Sequence, residues 1–232
     1  MRKYLSIFIS SILAGFCITF GATVYLICLH IGKNENLALL KVIGSFMFGI
    51  GLFTIIHFKY WLYTGKVGYV LDNKPKYFIS LLVCFLGNAV GSMILSGLIG
   101  LTGQGEVLRS EALPIVNAKM DSTWYSIFIM SMMCGAMIYL AVEGHKQCPY
   151  TLGKVLFAFM PISLFILAGF EHVVANVTYF TYAKVFNFQV VLYFILMFIG
   201  NGVGAVILDG MNKLIKYLTK EKKENIDSNN VQ

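Results

Sequence analysis

A polar break divides one apolar segment in the second half of the chain. Residues 155–168 and 177–188 are predominantly apolar. Neither run alone can cross a hydrocarbon core about 30 Å thick, which needs about 20 helical residues. Together they can, and their join carries Glu171, His172 and Asn176. Polar groups at that depth face a protein interior or an aqueous path. We therefore predict a broken membrane helix that Gly169 opens, with a functional site at the break.

The composition of the whole chain supports a membrane protein. Of its 232 residues, 58% are hydrophobic and only 12% are charged, and the mean hydropathy is +0.75. A soluble domain cannot bury that much apolar surface, so the predicted class is an all-α integral membrane protein. The first apolar run, residues 5–31, is longer than a signal-peptide core of about 7–15 residues, and it is predicted to be a retained span.

Six membrane spans are predicted, and two of them are interrupted. They cover residues 5–31, 37–71, 77–102, 122–142, 155–188 and 189–211, with a long polar loop at 103–121. The second span loses its apolar pattern from His57 and regains it at Val67. Thr64 and Gly65 are expected at or near this second break. Irregular backbone at that depth is tolerated only where protein or a cavity satisfies its polar groups.

A sequence repeat relates the two halves of the chain. The string GNAVGSMILSG begins at residue 87, and GNGVGAVILDG begins 113 residues later, at residue 200. Each follows an interrupted span, and three spans lie in each half, so the second half is inverted relative to the first. This 3+3 inverted repeat is typical of channels and secondary transporters. We predict one transmembrane channel domain at 1–211, with halves at 5–102 and 122–211, and a basic, polar tail at 212–232.

The charge pattern indicates orientation rather than nucleic-acid binding. The formal net charge is +7, and five of the eighteen basic residues lie in the tail (Lys213, Lys216, Lys220, Lys222 and Lys223). Basic residues also favour the loops on the side of both termini, so both termini are predicted to be cytoplasmic. The five cysteines have no metal-ligand spacing, so neither a metal site nor a cofactor is predicted.

Several motifs together resemble the formate/nitrite transporters, a family that includes hydrosulfide channels. GFEHVVANV at 169–177 is similar to the family's fifth-helix signature. FGIGL at 48–52, LYTGK at 62–66 and the two GN-x-VG strings match it in order and spacing. The resemblance implies an aquaporin-like six-helix protomer with its own pore, assembled as a homopentamer in lipid. The expected location is a bacterial-type inner membrane.

The resemblance also implies roles for individual residues. His172 is expected to be the central pore histidine, with Thr64 as its hydrogen-bonding partner. Lys119 matches a lysine that draws anions into the outer vestibule, and Asn176 and Asn201 match polar positions around the breaks. Hydrophobic constrictions are expected at Phe48, Leu52, Leu62, Tyr63 and Phe165. Glu171 and Gly169 are expected to be structural, with Glu171 either capping broken-helix amides or pairing with a basic group.

Two departures from the family pattern affect the expected substrate. Trp61 stands where an acidic residue is usual, with the basic Lys59 two positions earlier. Gly135 stands where some formate channels have an asparagine. The choice of substrate among formate, nitrite and hydrosulfide therefore stays open.

The predicted function is transport of a small monovalent weak-acid anion, coupled to protons. A bare anion meets a large barrier in an apolar constriction, and protonation removes its charge. His172 is the candidate proton donor because histidine titrates nearest neutral pH. A neutral-solute pore for water or glycerol and a non-transporting membrane subunit are the alternatives. A membrane enzyme using His172 and Glu171 is disfavoured because no second catalytic cluster accompanies them.

Overall fold

The computed structural model describes the backbone of residues 2–229 and the side chains of residues 2–219, and this part of the chain is helical. The helices are α1 (Arg2–Gly32), α2 (Leu37–Phe58), α3 (Tyr63–Lys66), a 3₁₀ helix (Val67–Asp72), α4 (Tyr77–Gly100), α5 (Gly105–Met120), α6 (Trp124–Gln147), α7 (Thr151–Leu167), α8 (Val173–Ala183) and α9 (Phe188–Asn229). Because α9 continues beyond residue 211, much of the predicted tail extends the last helix; residues 230–232 lie outside the described part.

Five helices are long and apolar enough to cross a membrane, namely α1, α2, α4, α6 and the Phe188–Thr219 part of α9. The apolar α7 is shorter, with 17 residues. It joins α8 across the predicted break, which agrees with the predicted interrupted fifth span. Large apolar side chains such as Phe20, Phe46 and Met93 are exposed on the helix surfaces, as lipid-facing positions require. The chain is therefore a multi-pass membrane protein.

The predicted polar loop at 103–121 is wrong, because most of it forms α5. Leu108, Ala112 and Val116 recur every four residues, and all three are fully buried. That spacing places one buried stripe along the helix. α5 packs against α8 and α1. Charged residues near both ends of the segment and a proline at position 114 concealed this helix in the sequence.

The two interrupted spans break with the same backbone geometry. α2 ends at Lys59 (φ 57°) and α7 is followed by Gly169 (φ 72°), both in the left-handed region. A left-handed residue is a common way to end a helix, because it turns the next amides back onto the last carbonyls. In each span the next helix begins after an extended residue, Leu62 before α3 and His172 before α8. Thr64 therefore lies just after the break, inside α3.

Glycines bring α1 against α4 and α6 against α9 in the same way. A Cβ added at Gly91 on α4 would overlap the Ile12 carbonyl of α1. One added at Gly204 on α9 would overlap the Met132 carbonyl of α6. Small residues that let helix backbones approach closely are typical of membrane interfaces. The equivalent contacts support the predicted repeat.

We expect Gly204→Ala to destabilise the folded protein by about 1–3 kcal/mol, because the new methyl group must push α9 away from the Met132 carbonyl. Thermal unfolding of the detergent-solubilised protein measures the effect. Gly210→Ala on the same helix is the control, since a Cβ there meets nothing within 4 Å. Equal melting temperatures for the two variants would contradict the close-packing interpretation.

Candidate functional site

Asn201 fixes the break between α7 and α8. It lies on α9, is fully buried, and its Nδ2 donates to the carbonyl oxygens of Ser131 (2.8 Å) and Glu171 (2.7 Å). Its Oδ1 accepts from the amide of Val173 at 3.0 Å. One side chain thus forms hydrogen bonds with backbone groups on both sides of His172. A helix break would otherwise leave these groups without partners.

Asn88 on α4 does the same for the first break. Its Nδ2 donates to the carbonyl oxygens of Ser11 and Trp61, both at 2.8 Å. Its Oδ1 accepts from the amide of Tyr63, also at 2.8 Å. Leu62 in the first half therefore occupies the place that His172 occupies in the second. Of these two equivalent positions, only the second carries a titratable group.

The His172 ring is held by both of its nitrogens. It is 2% exposed, its Nδ1 lies 3.0 Å from the amide nitrogen of Ala175, and its Nε2 lies 2.9 Å from the hydroxyl oxygen of Thr64. A backbone amide can only donate, so Nδ1 is the acceptor and the proton of the neutral ring belongs on Nε2. His172 then donates to Thr64, whose hydroxyl keeps its own hydrogen for a further acceptor.

Apolar side chains surround this pair. The Phe165 ring stacks on the His172 ring with centroids 5.6 Å apart. Phe48 meets Phe165 edge-on at 6.0 Å. Leu52 and Leu62 are buried as well. Four of the five predicted constriction residues therefore belong to one buried apolar region.

Tyr63 is placed differently from the other predicted constriction residues. Its hydroxyl donates to the carbonyl oxygen of Phe198 at 2.8 Å. Its ring stacks on the Phe198 ring with centroids 4.3 Å apart and meets Phe85 edge-on. These contacts fasten α3 to α9 and α4. Tyr63 lines neither of the two cavities described next.

Two cavities lie toward opposite ends of α6. The first, of about 390 Å³, is named the Lys119 vestibule; it includes Lys41, Lys119, Ser126, Gly169, Phe170 and Glu171 in its lining. The second, of about 340 Å³, is named the Lys66 vestibule and is lined by Leu52, Ile55, Ile56, Lys59, Tyr60, Leu62, Gly65, Lys66, Val142, His145 and Lys146. Twenty helical residues separate Ser126 from Lys146, about 30 Å along α6. The His172–Thr64 pair lies between the cavities, since Glu171 lines one and Gly65 the other.

Lys119 is paired with Glu171 inside the first vestibule. Its Nζ lies 2.6 Å from Glu171 Oε2, and the two side chains are 12% and 7% exposed. The Asn176 amide also donates to Glu171 Oε2, at 2.7 Å. Two roles were predicted for Glu171, and in the structure it pairs with a basic group, Lys119. The Glu171 carboxylate therefore compensates the positive charge of Lys119. The sequence did not indicate that these two residues are partners.

No metal site accompanies these residues. In the part of the chain that the structure describes, no three His, Cys, Asp or Glu residues lie close enough together to hold a metal ion. The five cysteines are all free thiols.

Comparison with known proteins identifies relatives of this arrangement. The family model described as Formate/nitrite transporter matches residues 1–215. The formate channel FocA of Haemophilus influenzae is 27% identical over 186 residues, 75% of this chain and 65% of that protein. The uncharacterized transporter YrhG of Bacillus subtilis is 26% identical over 200 residues, 80% of this chain and 75% of that one. This chain thus spans just under two thirds of the FocA relative.

A solved structure also shares the fold. A pentameric formate channel with formate bound superposes with a TM-score of 0.81 at 23% identity, covering 94% of this chain and 98% of that one. The prediction of an all-α fold of this channel type is therefore confirmed, as is the prediction of a transporter family rather than an enzyme family. Over nearly its whole length, from the first helix into α9, the chain belongs to the formate/nitrite transporter family.

Proposed function

We propose that the protein moves a small monovalent weak-acid anion (formate, nitrite or hydrosulfide) through a pore within each protomer. The observation that carries this proposal is the position of His172 and Thr64. They form a buried polar pair inside an apolar region, between two vestibules at opposite ends of α6. The family match and the formate channels among the relatives support the substrate class.

The proposed mechanism lowers the charge of the permeating species. Phe48, Phe165, Leu52 and Leu62 exclude water, so a bare anion would lose its hydration without gaining a counterion. The anion accepts a hydrogen bond from Thr64, whose hydroxyl is oriented by His172 Nε2–H. A proton taken from the water of the vestibule makes the neutral acid, which crosses the apolar region at lower cost. Uptake therefore rises when the outside is acidified.

The ring geometry limits how His172 takes part. Protonation at Nδ1 would break its bond with the Ala175 amide, because both atoms would then be donors. In the position described, His172 thus donates a hydrogen bond to Thr64 at Nε2 and does not itself release that proton, because a ring without it would be an imidazolate anion. The proton that forms the neutral acid comes from the water of the vestibule; Thr64 is a positioning residue in this mechanism, and Asn201 holds the backbone that carries the ring.

The assembly and membrane location belong to the same proposal. The solved structure with the same fold is a pentameric channel, and exposed apolar side chains on α1, α2 and α4 suit contacts with neighbouring protomers or lipid. We infer a homopentamer in a bacterial-type inner membrane. The basic residues near the termini support a cytoplasmic location for both termini.

Anion uptake into proteoliposomes tests the proposal. Formate, nitrite and hydrosulfide are compared at two external pH values, for the wild type and for His172→Ala. We expect uptake of at least one anion to rise at the lower pH and to fall about tenfold or more in the variant, because the Thr64 hydroxyl loses the hydrogen bond that orients it toward the anion. His57→Ala is the matched control, since His57 is exposed on α2.

Other outcomes of this experiment distinguish the alternatives. Equal uptake by wild type and His172→Ala would remove the histidine from the mechanism and leave a steric pore. Swelling of the vesicles in glycerol without anion uptake would indicate a neutral-solute pore. No flux of any solute would favour a non-transporting membrane subunit.

A further inference from the structure

The two vestibules differ in their net charge. In the Lys119 vestibule the lysine for which it is named is neutralised by Glu171 at 2.6 Å, which leaves Lys41 as the unpaired cation of that lining. The Lys66 vestibule has Lys59, Lys66, His145 and Lys146 in its lining, and no carboxylate residue is part of that lining. The second cavity is therefore the more positive of the two.

Lys66 distinguishes the second cavity from an ordinary basic surface. The side chain is half-buried, and its ammonium lies 5.3 Å from the centroid of the Trp61 ring. Among the side chains that the structure describes, no carboxylate forms an ion pair with it. An aromatic face stabilises a cation only partly. A half-buried ammonium without a counterion attracts an anion more strongly than a solvated one.

The other basic residues of this vestibule have a simpler explanation. Lys59 caps the C-terminal end of α2, and His145 and Lys146 lie in the last turn of α6. Basic residues at such positions complement the helix dipole and need no ligand. Lys146 also has a partner, Glu143, at 3.6 Å. Lys59 and Lys146 add to the positive potential around Lys66.

Lys66 also ends a helix, but α3 has only four residues and runs directly into the 3₁₀ helix that begins at Val67, so few aligned peptide dipoles add up there. The Lys66 carbonyl oxygen accepts a bond from the Tyr77 hydroxyl at 3.1 Å. This contact places its backbone beside the start of α4. It is also two residues from Thr64, so an anion held by its ammonium stands next to the apolar region. Leu52 and Leu62 of that region line the same cavity.

We propose that the Lys66 vestibule is the principal anion-capture site of the protein, with Lys66 as the residue that binds a small monovalent anion there. The site lies toward the end of α6 opposite the Lys119 vestibule. One consequence rests on the proposed anion transport: transport half-saturates at a lower anion concentration when the anion is supplied from the Lys66 side. Its electrostatic part does not depend on transport.

A charge-sensitive labelling experiment tests the electrostatic part. Val142→Cys is introduced into a Cys148→Ser background, because Val142 lines the vestibule and lies 3.5 Å from the position of a Cβ on Gly65. The rates of labelling by an anionic and a cationic methanethiosulfonate are compared, after subtraction of labelling in the background protein. Since the two reagents respond in opposite directions to one charge, we expect Lys66→Gln to lower the anion-to-cation rate ratio by about tenfold.

Lys76→Gln is the matched control for this experiment. Lys76 is exposed, lies next to Tyr77 on the same side of the molecule, and is not part of the vestibule lining. The control is expected to leave the rate ratio unchanged. A ratio that is the same in Lys66→Gln as in the parent would overturn the proposal.

Formate flux from each side of vesicles with one protein orientation tests the capture role. In Lys66→Gln we expect the half-saturating formate concentration to rise about fivefold from the Lys66 side and little from the other side. An unchanged half-saturation in a protein that transports formate would overturn the proposal. If the wild type carries no formate but the labelling ratio falls in Lys66→Gln, the anion-attracting vestibule stands and the proposed function fails.

Discussion

Replacing Asn201 with leucine is expected to lower the free energy of unfolding by at least about 3 kcal/mol. The change removes bonds to three buried backbone groups, the carbonyls of Ser131 and Glu171 and the amide of Val173. Each buried group left unpaired costs about 1–3 kcal/mol, and no lipid group can replace the lost partner. Because whole domains are stable by only about 5–15 kcal/mol, little correctly folded protein should be recovered.

Fluorescence-detected size exclusion and thermal unfolding in detergent measure this effect. Asn88→Leu is expected to be as damaging, because Asn88 makes the same three kinds of bond at the first break. Asn212→Leu is the control, since that residue makes one longer bond, at 3.2 Å, to the Tyr139 hydroxyl. If Asn201→Leu unfolded at the same temperature as the control, the amide would not hold the break.

The repeated strings explain why both asparagines could be found in the sequence but not what they bind. The string GN-x-VG occurs at the two positions, 113 residues apart. Such a repeat can be recognised in the sequence without knowing which groups the residues contact. The partners of Asn201 lie 28, 30 and 70 residues away along the chain. No local pattern encodes such separations. The bracing of the break therefore emerges only from the packed helices.

The two breaks show where local signals succeed and where they fail. Gly169 could be predicted to open its break because glycine adopts positive φ without a Cβ penalty. Lys59 takes the same conformation in the first half, and lysine gives no such signal. The glycine that is visible there, Gly65, instead lies within the helix that follows. The prediction put Thr64 and Gly65 at or near this break, and both lie just after it, in α3.

Two further features could be recognised only in the three-dimensional structure. α5 mixes charged and apolar residues and contains Pro114, and its buried face is indicated by the four-residue spacing of Leu108, Ala112 and Val116. Lys119 and Glu171 are 52 residues apart, so the sequence could suggest a basic partner for the glutamate without naming it. Packing α5 against α8 is what brings the end of α5 to the break.

Lys119→Met is expected to destabilise the protein by about 3–5 kcal/mol, because it leaves the buried Glu171 carboxylate without its cation. Only the Asn176 amide would still donate to that side chain. Replacing both members, as Lys119→Met with Glu171→Gln, removes the uncompensated charge. The double variant should therefore lose less stability than the sum of the two single changes, and thermal or denaturant unfolding of the four proteins measures this coupling.

Lys146→Met provides the control for an exposed lysine in an ion pair. Lys146 is 67% exposed and lies 3.6 Å from Glu143, which keeps the hydrogen bond that the Tyr69 hydroxyl donates to it. Because solvent already screens such a lysine, the expected loss is below about 1 kcal/mol. Strictly additive losses for Lys119 and Glu171, or a loss for Lys119→Met no larger than for Lys146→Met, would contradict a tightly coupled buried pair.

The same variants separate two roles for Lys119 in transport. If Glu171 neutralises its charge, Glu171→Gln exposes that charge, and anion uptake from the Lys119 side should half-saturate at a lower concentration than in the wild type. If Lys119 already attracts anions at full strength, Glu171→Gln should change the stability but leave that half-saturation unaltered. Flux from the Lys66 side serves as the internal reference, since Glu171 does not line that vestibule. A lower half-saturation confined to the Lys119 side would mean that the Glu171 carboxylate limits anion capture at that end of the pore.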